Sequence, residues 1–74
     1  MDNKKVKIYR YYKGGIYLVT GKGKQTGTDE EMVIYEDAKG NTWIEPQSTF
    51  MADIEVCGVK VPRFEHLGNF YKSN

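Results

Sequence analysis

Residues 6–20, Val-Lys-Ile-Tyr-Arg-Tyr-Tyr-Lys-Gly-Gly-Ile-Tyr-Leu-Val-Thr, decide the fold class. Two runs of β-branched and aromatic residues, 6–12 and 16–20, flank a Lys-Gly-Gly segment, and such residues favour extended strands. The two glycines supply the positive φ angles that a tight hairpin turn needs. The second run is apolar on both faces, which is typical of a central strand. The stretch therefore predicts a hairpin whose second strand lies inside a sheet.

The rest of the chain continues this pattern of short strands separated by turn residues. Strand-forming runs occupy 32–36, 42–45, 54–56 and 59–61, and no segment shows a sustained helical period. Residues 47–52 have room for one helical or 3-10 turn, with Phe50 pointing inward. Cys57-Gly58 predicts a two-residue hairpin turn. These signals predict an all-β fold, a small SH3-like β-barrel roll of about five strands with one short helical or 3-10 turn.

The 74 residues are enough for one domain and predict a single unit over 1–74. We expect its compact part to span 4–67, followed by a polar tail over 68–74 that carries Phe70 and Tyr71. A polar, mobile loop is expected over 21–29, where glycine, lysine and threonine predominate.

The single cysteine, Cys57, and the single histidine, His66, limit the chemistry of the chain. One cysteine cannot close an intrachain disulfide, which favours a reducing compartment. The basic start, residues 1–6, lacks the apolar region of a secretion signal, and no apolar run approaches the ~20 residues of a membrane span. We therefore expect a cytoplasmic protein with no membrane partner. Two soft ligands are too few for a structural zinc, so no metal and no cofactor are predicted.

The charges are unevenly distributed along the chain. Seven of the 11 lysines and arginines lie in residues 1–24 beside one acid, whereas nine of the ten acids lie in residues 25–74. Such asymmetry is found on nucleic-acid-binding surfaces. It is also expected where basic and acidic strands lie side by side in one sheet. The formal net charge of only +1 favours the second interpretation, because it supplies little long-range attraction to phosphate.

The sequence offers no residue set suited to catalysis. Cys57 and His66 resemble a nucleophile and its base, but Cys57 falls in a predicted turn and no third group is placed to orient the imidazole. The glycines at 21–27 match neither the P-loop nor the dinucleotide-binding pattern, since both fail at Thr26. The carboxylates at 29–31, 36–37, 53 and 55 fall at strand ends and turns, where solvated acids are common. We therefore predict a protein that is not an enzyme.

The strongest candidate site is a stripe of rings and cations on the first strand. Period-two alternation places Lys7, Tyr9, Tyr11 and Lys13 on one face. Rings beside cations stack on bases and meet phosphates in single-stranded nucleic-acid platforms, and aromatic ridges grip proline-rich peptides in other domains. Alternatively, the tyrosines close a thin core and the lysines only solubilise it. Two more residues would extend the predicted surface, namely Trp43 and Arg63.

Several motifs resemble the bacterial DUF1653 family, a domain of unknown function. They are Tyr9-Arg10-x-Tyr12-Lys13-Gly14, Tyr17-x-Val19, Val33-x-Tyr35, Trp43-x-x-Pro46, Phe50 and Val56-x-Gly58-x-x-Val61-Pro62-Arg63-Phe64. The resemblance spans roughly 8–65 and implies an SH3-like barrel roll without implying an activity. The chain departs from the family pattern at Tyr11, where His is usual, at Glu45, where Arg is usual, and in the loop over 21–31.

Two functional hypotheses follow from these observations. The first is a non-catalytic binding module that uses the aromatic-basic surface to bind a peptide, a protein or a single-stranded nucleic acid. The second is a structural protein that forms a homodimer, either through its opposite charges or through the segment that carries Phe70 and Tyr71. Association would suit so small a core, because burial against a partner stabilises the folded state.

Overall fold

The structure, a computed structural model, describes residues 3–73, which form seven strands and one short helix. Their bounds are β1 Asn3–Tyr11, β2 Ile16–Lys24, β3 Glu31–Glu36, β4 Thr42–Pro46, α1 Gln47–Phe50, β5 Asp53–Val56, β6 Val59–Pro62 and β7 Phe64–Ser73. The predicted all-β class and the single short helical turn are confirmed.

The strands form a five-stranded antiparallel sheet and a separate two-stranded hairpin. The main sheet has the order β4-β3-β2-β1-β7, and β5 pairs only with β6. β2, predicted as the central strand, lies at its centre. No pairing joins the edge strands β4 and β7 within residues 3–73, so the sheet stays open instead of closing into the expected barrel. The sequence predicted both strands of the hairpin after α1, over 54–56 and 59–61, but assigned them to the barrel itself.

The core lies on one face of the main sheet, beneath α1. It consists of Tyr9, Val19, Val33, Tyr35, Phe50 and Phe64. Phe50 is only 1% exposed, as its predicted inward position requires, and its ring stacks on Phe64 with centroids 4.2 Å apart. α1 follows directly after Pro46, which ends β4 because it has no N–H for further pairing. The helix therefore sets Phe50 over the middle of the sheet.

Two glycine-containing turns adopt the conformations that the sequence predicts. In the first, Gly14 and Gly15 have positive φ angles of 100° and 97°. Cys57 and Gly58 both have positive φ angles, 52° and 80°, and connect the paired residues Val56 and Val59. Two positive φ angles in a two-residue connection define a type I′ turn, whose twist matches that of the flanking strands.

The last strand, β7, is not among the strands that the sequence predicts. Residues 68–73, expected in a polar tail, continue β7 and pair with β1 through Ser73 opposite Asn3; Asn74 lies outside the described residues. The pairing explains why Val6, opposite Phe70, is only 3% exposed. Likewise β2 extends to Lys24, so the polar loop covers residues 25–30 and not 21–29.

The face of the main sheet opposite the core is also apolar. Its members alternate with the core residues along each strand, and they include Val6, Ile8, Leu18, Ile34, Ile44 and Phe70. Ile34 lies directly opposite Ile44, whose side chain is 62% exposed. Within residues 3–73, no helix has the length and apolar character needed to cross a membrane.

Candidate functional site

A pocket of about 270 Å³ opens beside the core, where the end of β1 meets the start of β7. It is lined by Tyr11, Tyr17, Tyr35, Asp37, Trp43, Arg63 and Phe64. We call this site the aromatic pocket, because five of its seven residues carry aromatic rings.

Strand pairing brings these rings together from five different strands. Tyr35 on β3 lies directly opposite Trp43 on β4. The ring centroid of Phe64 lies 5.7 Å from that of Tyr35, 5.5 Å from that of Tyr17 and 5.0 Å from that of Tyr11. The planes of Tyr17 and Phe64 are nearly perpendicular, at 89°. Edge-to-face contacts of this kind are favourable between aromatic rings and hold the lining in place.

The lining residues become more exposed from the floor of the pocket to its mouth. Phe64 and Tyr35 belong to the core, Tyr11 and Tyr17 are half-buried, and Trp43 is 50% exposed. A ligand that entered the pocket would therefore meet Trp43 first. The exposed indole forms the mouth of the pocket.

Asp37 anchors the Trp43 side of the pocket. Its Oδ1 accepts backbone N–H bonds from Lys39 and Asn41, both 2.9 Å long. Its Oδ2 accepts bonds from the Asn41 side-chain amide at 3.1 Å and from the Trp43 indole N–H at 2.9 Å. These bonds, the one from Trp43 above all, lower the pKa of Asp37 to about 2. The carboxylate therefore stays charged at neutral pH.

Arg63 closes the opposite side through a compact polar cluster. Its Nη1 donates to Glu45 Oε1 and to the carbonyl oxygen of Thr49, both at 2.9 Å. The same Glu45 oxygen accepts a 3.4 Å bond from the Tyr35 hydroxyl. The bond to Glu45 raises the pKa of Arg63, and burial, reinforced by the Glu45 charge, raises the pKa of Tyr35 to about 12. The charge of Arg63 is thus balanced inside the protein.

The guanidinium of Arg63 also lies against two rings of the pocket. Its central carbon is 5.1 Å from the ring centroid of Phe64 and 5.9 Å from that of Tyr11, distances typical of cation–π contacts. Because Glu45 neutralises Arg63, the carboxylate of Asp37 remains as the unbalanced charge among the groups around the pocket.

The comparison with known families agrees with the motifs of the sequence. A family model described as a protein of unknown function (DUF1653) matches residues 7–66. The chain belongs to the DUF1653 family. The DUF1653 match includes every residue of the aromatic pocket. No curated protein and no solved structure matches the chain.

Three of the six predicted surface residues meet in this DUF1653 pocket. Tyr11, Trp43 and Arg63 all line it, although they come from β1, β4 and the junction of β6 and β7. The sequence placed Tyr11 on the first strand but gave no distance to the other two. Tertiary packing supplies that distance.

The predicted outward position of Tyr9 is wrong. Its side chain is 7% exposed and its ring meets Phe50 edge to face, with centroids 5.1 Å apart. Tyr9 and Tyr11 do share a face of β1, as alternation requires, but α1 covers that face at Tyr9. The alternative interpretation, that a tyrosine closes a thin core, therefore holds for Tyr9.

The two lysines of the predicted stripe lie away from the aromatic pocket. Lys7 lines two shallow depressions together with Lys22, and Lys5 borders one of these. The Lys13 ammonium instead lies 5.6 Å from the ring centroid of Tyr12, outside the pocket. The expected aromatic-basic surface is thus divided into an aromatic site and a separate lysine patch formed by Lys5, Lys7 and Lys22.

A larger groove of about 560 Å³ adjoins the aromatic pocket, and Tyr11 lines both. The groove runs between β1 and the β5–β6 hairpin. It is lined by Arg10, Tyr11, Tyr12, Gly14, Val56, Val61, Pro62 and Glu65. Arg10 and Glu65 form an ion pair of 2.6 Å at its edge.

Sequence reasoning missed the acidic part of the site. Asp37 was interpreted as a solvated carboxylate and Glu45 only as a departure from the family pattern, whereas both accept bonds from pocket residues. The signal that was available lies in the spacing, since Asp37 follows Tyr35 by two residues, just beyond the end of β3. This spacing, together with the nearby Trp43, would have indicated that the ring of Tyr35 and the carboxylate of Asp37 belong to one site.

The cysteine and the histidine do not meet. Cys57 is exposed in the β5–β6 turn, and His66 Nε2 lies 2.8 Å from Asn69 Oδ1. Among residues 3–73 no three histidines, cysteines or acids are grouped as metal ligands would be.

Proposed function

We propose that this protein is a non-catalytic binding module whose aromatic pocket binds a side chain of a partner peptide or protein. The observation that carries the proposal is the convergence of five rings on an open site beside a fixed carboxylate. The polar groups of the site support a role without catalysis, because Asp37, Glu45 and Arg63 are all held in structural hydrogen bonds. A cytoplasmic location is part of the proposal and is supported by the exposed thiol of Cys57.

The shape of the neighbouring surface supports an extended ligand. The groove of about 560 Å³ meets the pocket at Tyr11, so a peptide that places one side chain in the pocket can continue along the groove. Val56, Val61 and Pro62 would contact its next residues. Recognition of one anchoring side chain in a pocket, with weaker contacts around it, is the usual distribution of energy at peptide interfaces.

The charges favour a peptide over single-stranded nucleic acid. Phosphates approaching the rings would meet the carboxylate of Asp37, and Arg63 is already paired with Glu45. The cations that suit a phosphate backbone, Lys7 and its neighbours Lys5 and Lys22, lie on a different surface. Within residues 3–73, no single surface therefore combines rings that stack on bases with cations that neutralise phosphates.

An NMR titration with a degenerate peptide pool tests the proposal, with a mixed oligonucleotide pool as the comparison. We expect the peptides to shift the resonances of Tyr11, Tyr17 and Trp43, and Trp43→Ala to abolish the effect. Ile44→Ala is the matched control, because Ile44 is the next residue on β4 and lies on the opposite face. Peptide shifts that survive Trp43→Ala, or oligonucleotide shifts confined to Lys5, Lys7 and Lys22 with steep salt dependence, would contradict the proposal.

A second candidate function, a structural homodimer, is favoured by the uncovered second face of the main sheet. Ile44 and Phe70 on this face are 62% and 39% exposed, and both edge strands of the sheet are open within residues 3–73. Phe70 and Tyr71 belong to β7, so they would contribute as part of a sheet and not as a docking tail. Sedimentation equilibrium tests this function: we expect Ile44→Lys to weaken association, and a monomer at every concentration would rule it out.

A further inference from the structure

The aromatic pocket combines ring faces with a single unbalanced negative charge. Aromatic rings carry negative potential on their faces and attract cations within ~6 Å of their centroids. Arg63 already lies this close to Phe64 and Tyr11, so these faces hold a cation in the unliganded protein. Tyr17 and Trp43 carry no such cation contact among the described residues.

Asp37 offers charge to a ligand but little capacity to accept hydrogen bonds. A carboxylate has about four lone-pair sites. Lys39 N–H, Asn41 N–H, the Asn41 amide and the Trp43 indole donate to its two oxygens, two bonds to each. The N–H donors of a ligand would therefore find no unoccupied lone pair on Asp37, and a donor that leaves water without a partner is costly.

This arrangement distinguishes between types of cation. A primary ammonium, such as that of unmodified lysine, has three N–H donors that must leave water. A methylated ammonium keeps the positive charge, has fewer donors or none, and presents methyl groups to the rings. The pocket is suited to the second type, since it supplies ring faces and a carboxylate whose lone pairs are already occupied.

The size of the pocket favours the end of a side chain over a whole small molecule. Pockets for complete drug-sized ligands usually enclose about 300–1,000 Å³. The aromatic pocket encloses about 270 Å³ and opens beside the larger groove. A compact head group fits the pocket while the chain that carries it continues along the groove.

From these observations we infer that the aromatic pocket binds a methylated ammonium group, in particular a methylated lysine side chain of a partner peptide. The inference rests on the proposed function and adds the chemical class of the ligand. Tyr17 and Trp43 contribute ring faces, and Asp37 contributes the opposite charge.

A pair of isosteres tests the charge requirement. Trp43 is the only tryptophan in the chain, so its fluorescence reports on the pocket directly. We expect choline to bind about fivefold to thirtyfold more tightly than dimethylbutanol, in which carbon replaces the quaternary nitrogen, because cation–π attraction requires the charge. A trimethyllysine peptide should likewise bind more tightly than the same peptide with unmodified lysine.

Variants separate the contributions of charge and rings. Asp37→Asn should reduce the advantage of choline over dimethylbutanol while retaining an oxygen that accepts the Trp43 indole bond. Tyr17→Leu should reduce choline binding more than dimethylbutanol binding, because it removes a ring but keeps an apolar surface. Tyr71→Leu, on an exposed tyrosine far along β7, is the matched control and should change neither. Amide NMR spectra of each variant verify that the fold is retained.

Each alternative outcome identifies the claim that fails. Equal binding of choline and dimethylbutanol, with peptides still bound at Trp43, would overturn the cation inference and leave the proposed peptide site standing. Choline binding without any preference for the trimethyllysine peptide would replace the peptide by a free small ammonium ligand. If neither small probe nor either peptide perturbs Trp43 or Tyr17, the inference is wrong; if the degenerate peptide pool also leaves these residues unchanged, the proposed function is wrong as well.

Discussion

Both oxygens of the Asp37 carboxylate are fully occupied by donors from its own loop and from Trp43. One acidic residue therefore shapes the β3–β4 loop and fixes the indole at the mouth of the pocket. Arg63 has the same double role on the other side, since it pairs with Glu45 and covers the rings of Tyr11 and Phe64. The hydrogen bonds of Asp37 and Arg63 therefore both hold the local structure and position the groups proposed to bind a ligand.

The low pKa of Asp37 predicts how the loop responds to acid. Because the folded-state pKa, about 2, lies below the ordinary value of 3.8, the stabilisation is present above pH 3.8 and is lost as the pH falls towards 2. We expect the carboxyl resonance of Asp37 and the indole N–H resonance of Trp43 to shift together, with a midpoint near 2. Asp37→Asn should remove the shift of the indole resonance. A midpoint close to 3.8 would show that the hydrogen bonds do not hold the carboxylate in solution.

Turns and strands were the elements that the sequence predicted best. The β5–β6 hairpin follows from Cys57-Gly58 alone, because a two-residue turn needs positive φ angles that depend on local residues. β2 was placed at the centre of the sheet because it is apolar on both faces. β7 was not predicted as a strand, and its second half, residues 68–73, is polar and sparse in β-formers except for Phe70 and Tyr71. Their strand conformation comes from pairing with β1, which local sequence does not encode.

The β5–β6 turn supplies a prediction at the scale of one element. Cys57 has a φ of 52°, a region that strains most side chains but that asparagine tolerates well. We expect Cys57→Asn to raise the free energy of unfolding by about 0.5–1 kcal/mol, because Asn-Gly is a preferred type I′ sequence. Chemical denaturation measures the change, and Cys57→Ala is the control that removes the thiol without favouring the turn. Equal stability of the two variants would contradict the turn assignment.

The main sheet is open, with one covered face and one apolar face that is partly exposed. α1 and the rings of the core cover the first face, whereas Ile44 and Phe70 remain accessible on the second. The ribbon of β1 and β7 extends from the sheet and accounts in part for the longest dimension of the molecule, 47 Å. These features determine where a partner could bind, and none of them belongs to a single element.

Removal of residues 68–74 tests the long β1–β7 pairing. The deletion leaves residues 3–8 of β1 without their β7 partners and exposes Val6, which is 3% exposed in the intact protein. We expect the free energy of unfolding to fall by at least about 1.5 kcal/mol, the contribution of one buried valine. Urea denaturation measures the loss, and removal of residues 73–74 alone should have little effect. An unchanged midpoint for the longer deletion would show that this segment behaves as the polar tail that its composition suggests.

The sequence by itself determined the features that depend on neighbouring residues: the all-β class, the glycine turns, the central strand and the helical turn that carries Phe50. It also placed Tyr9 and Tyr11 on one face of β1, since alternation is a property of any strand. Only the tertiary structure decided that α1 buries Tyr9 and leaves Tyr11 at a pocket. The same holds for the meeting of Tyr11, Trp43, Arg63 and Asp37, because contacts between distant segments depend on how the strands pair and where the helix packs.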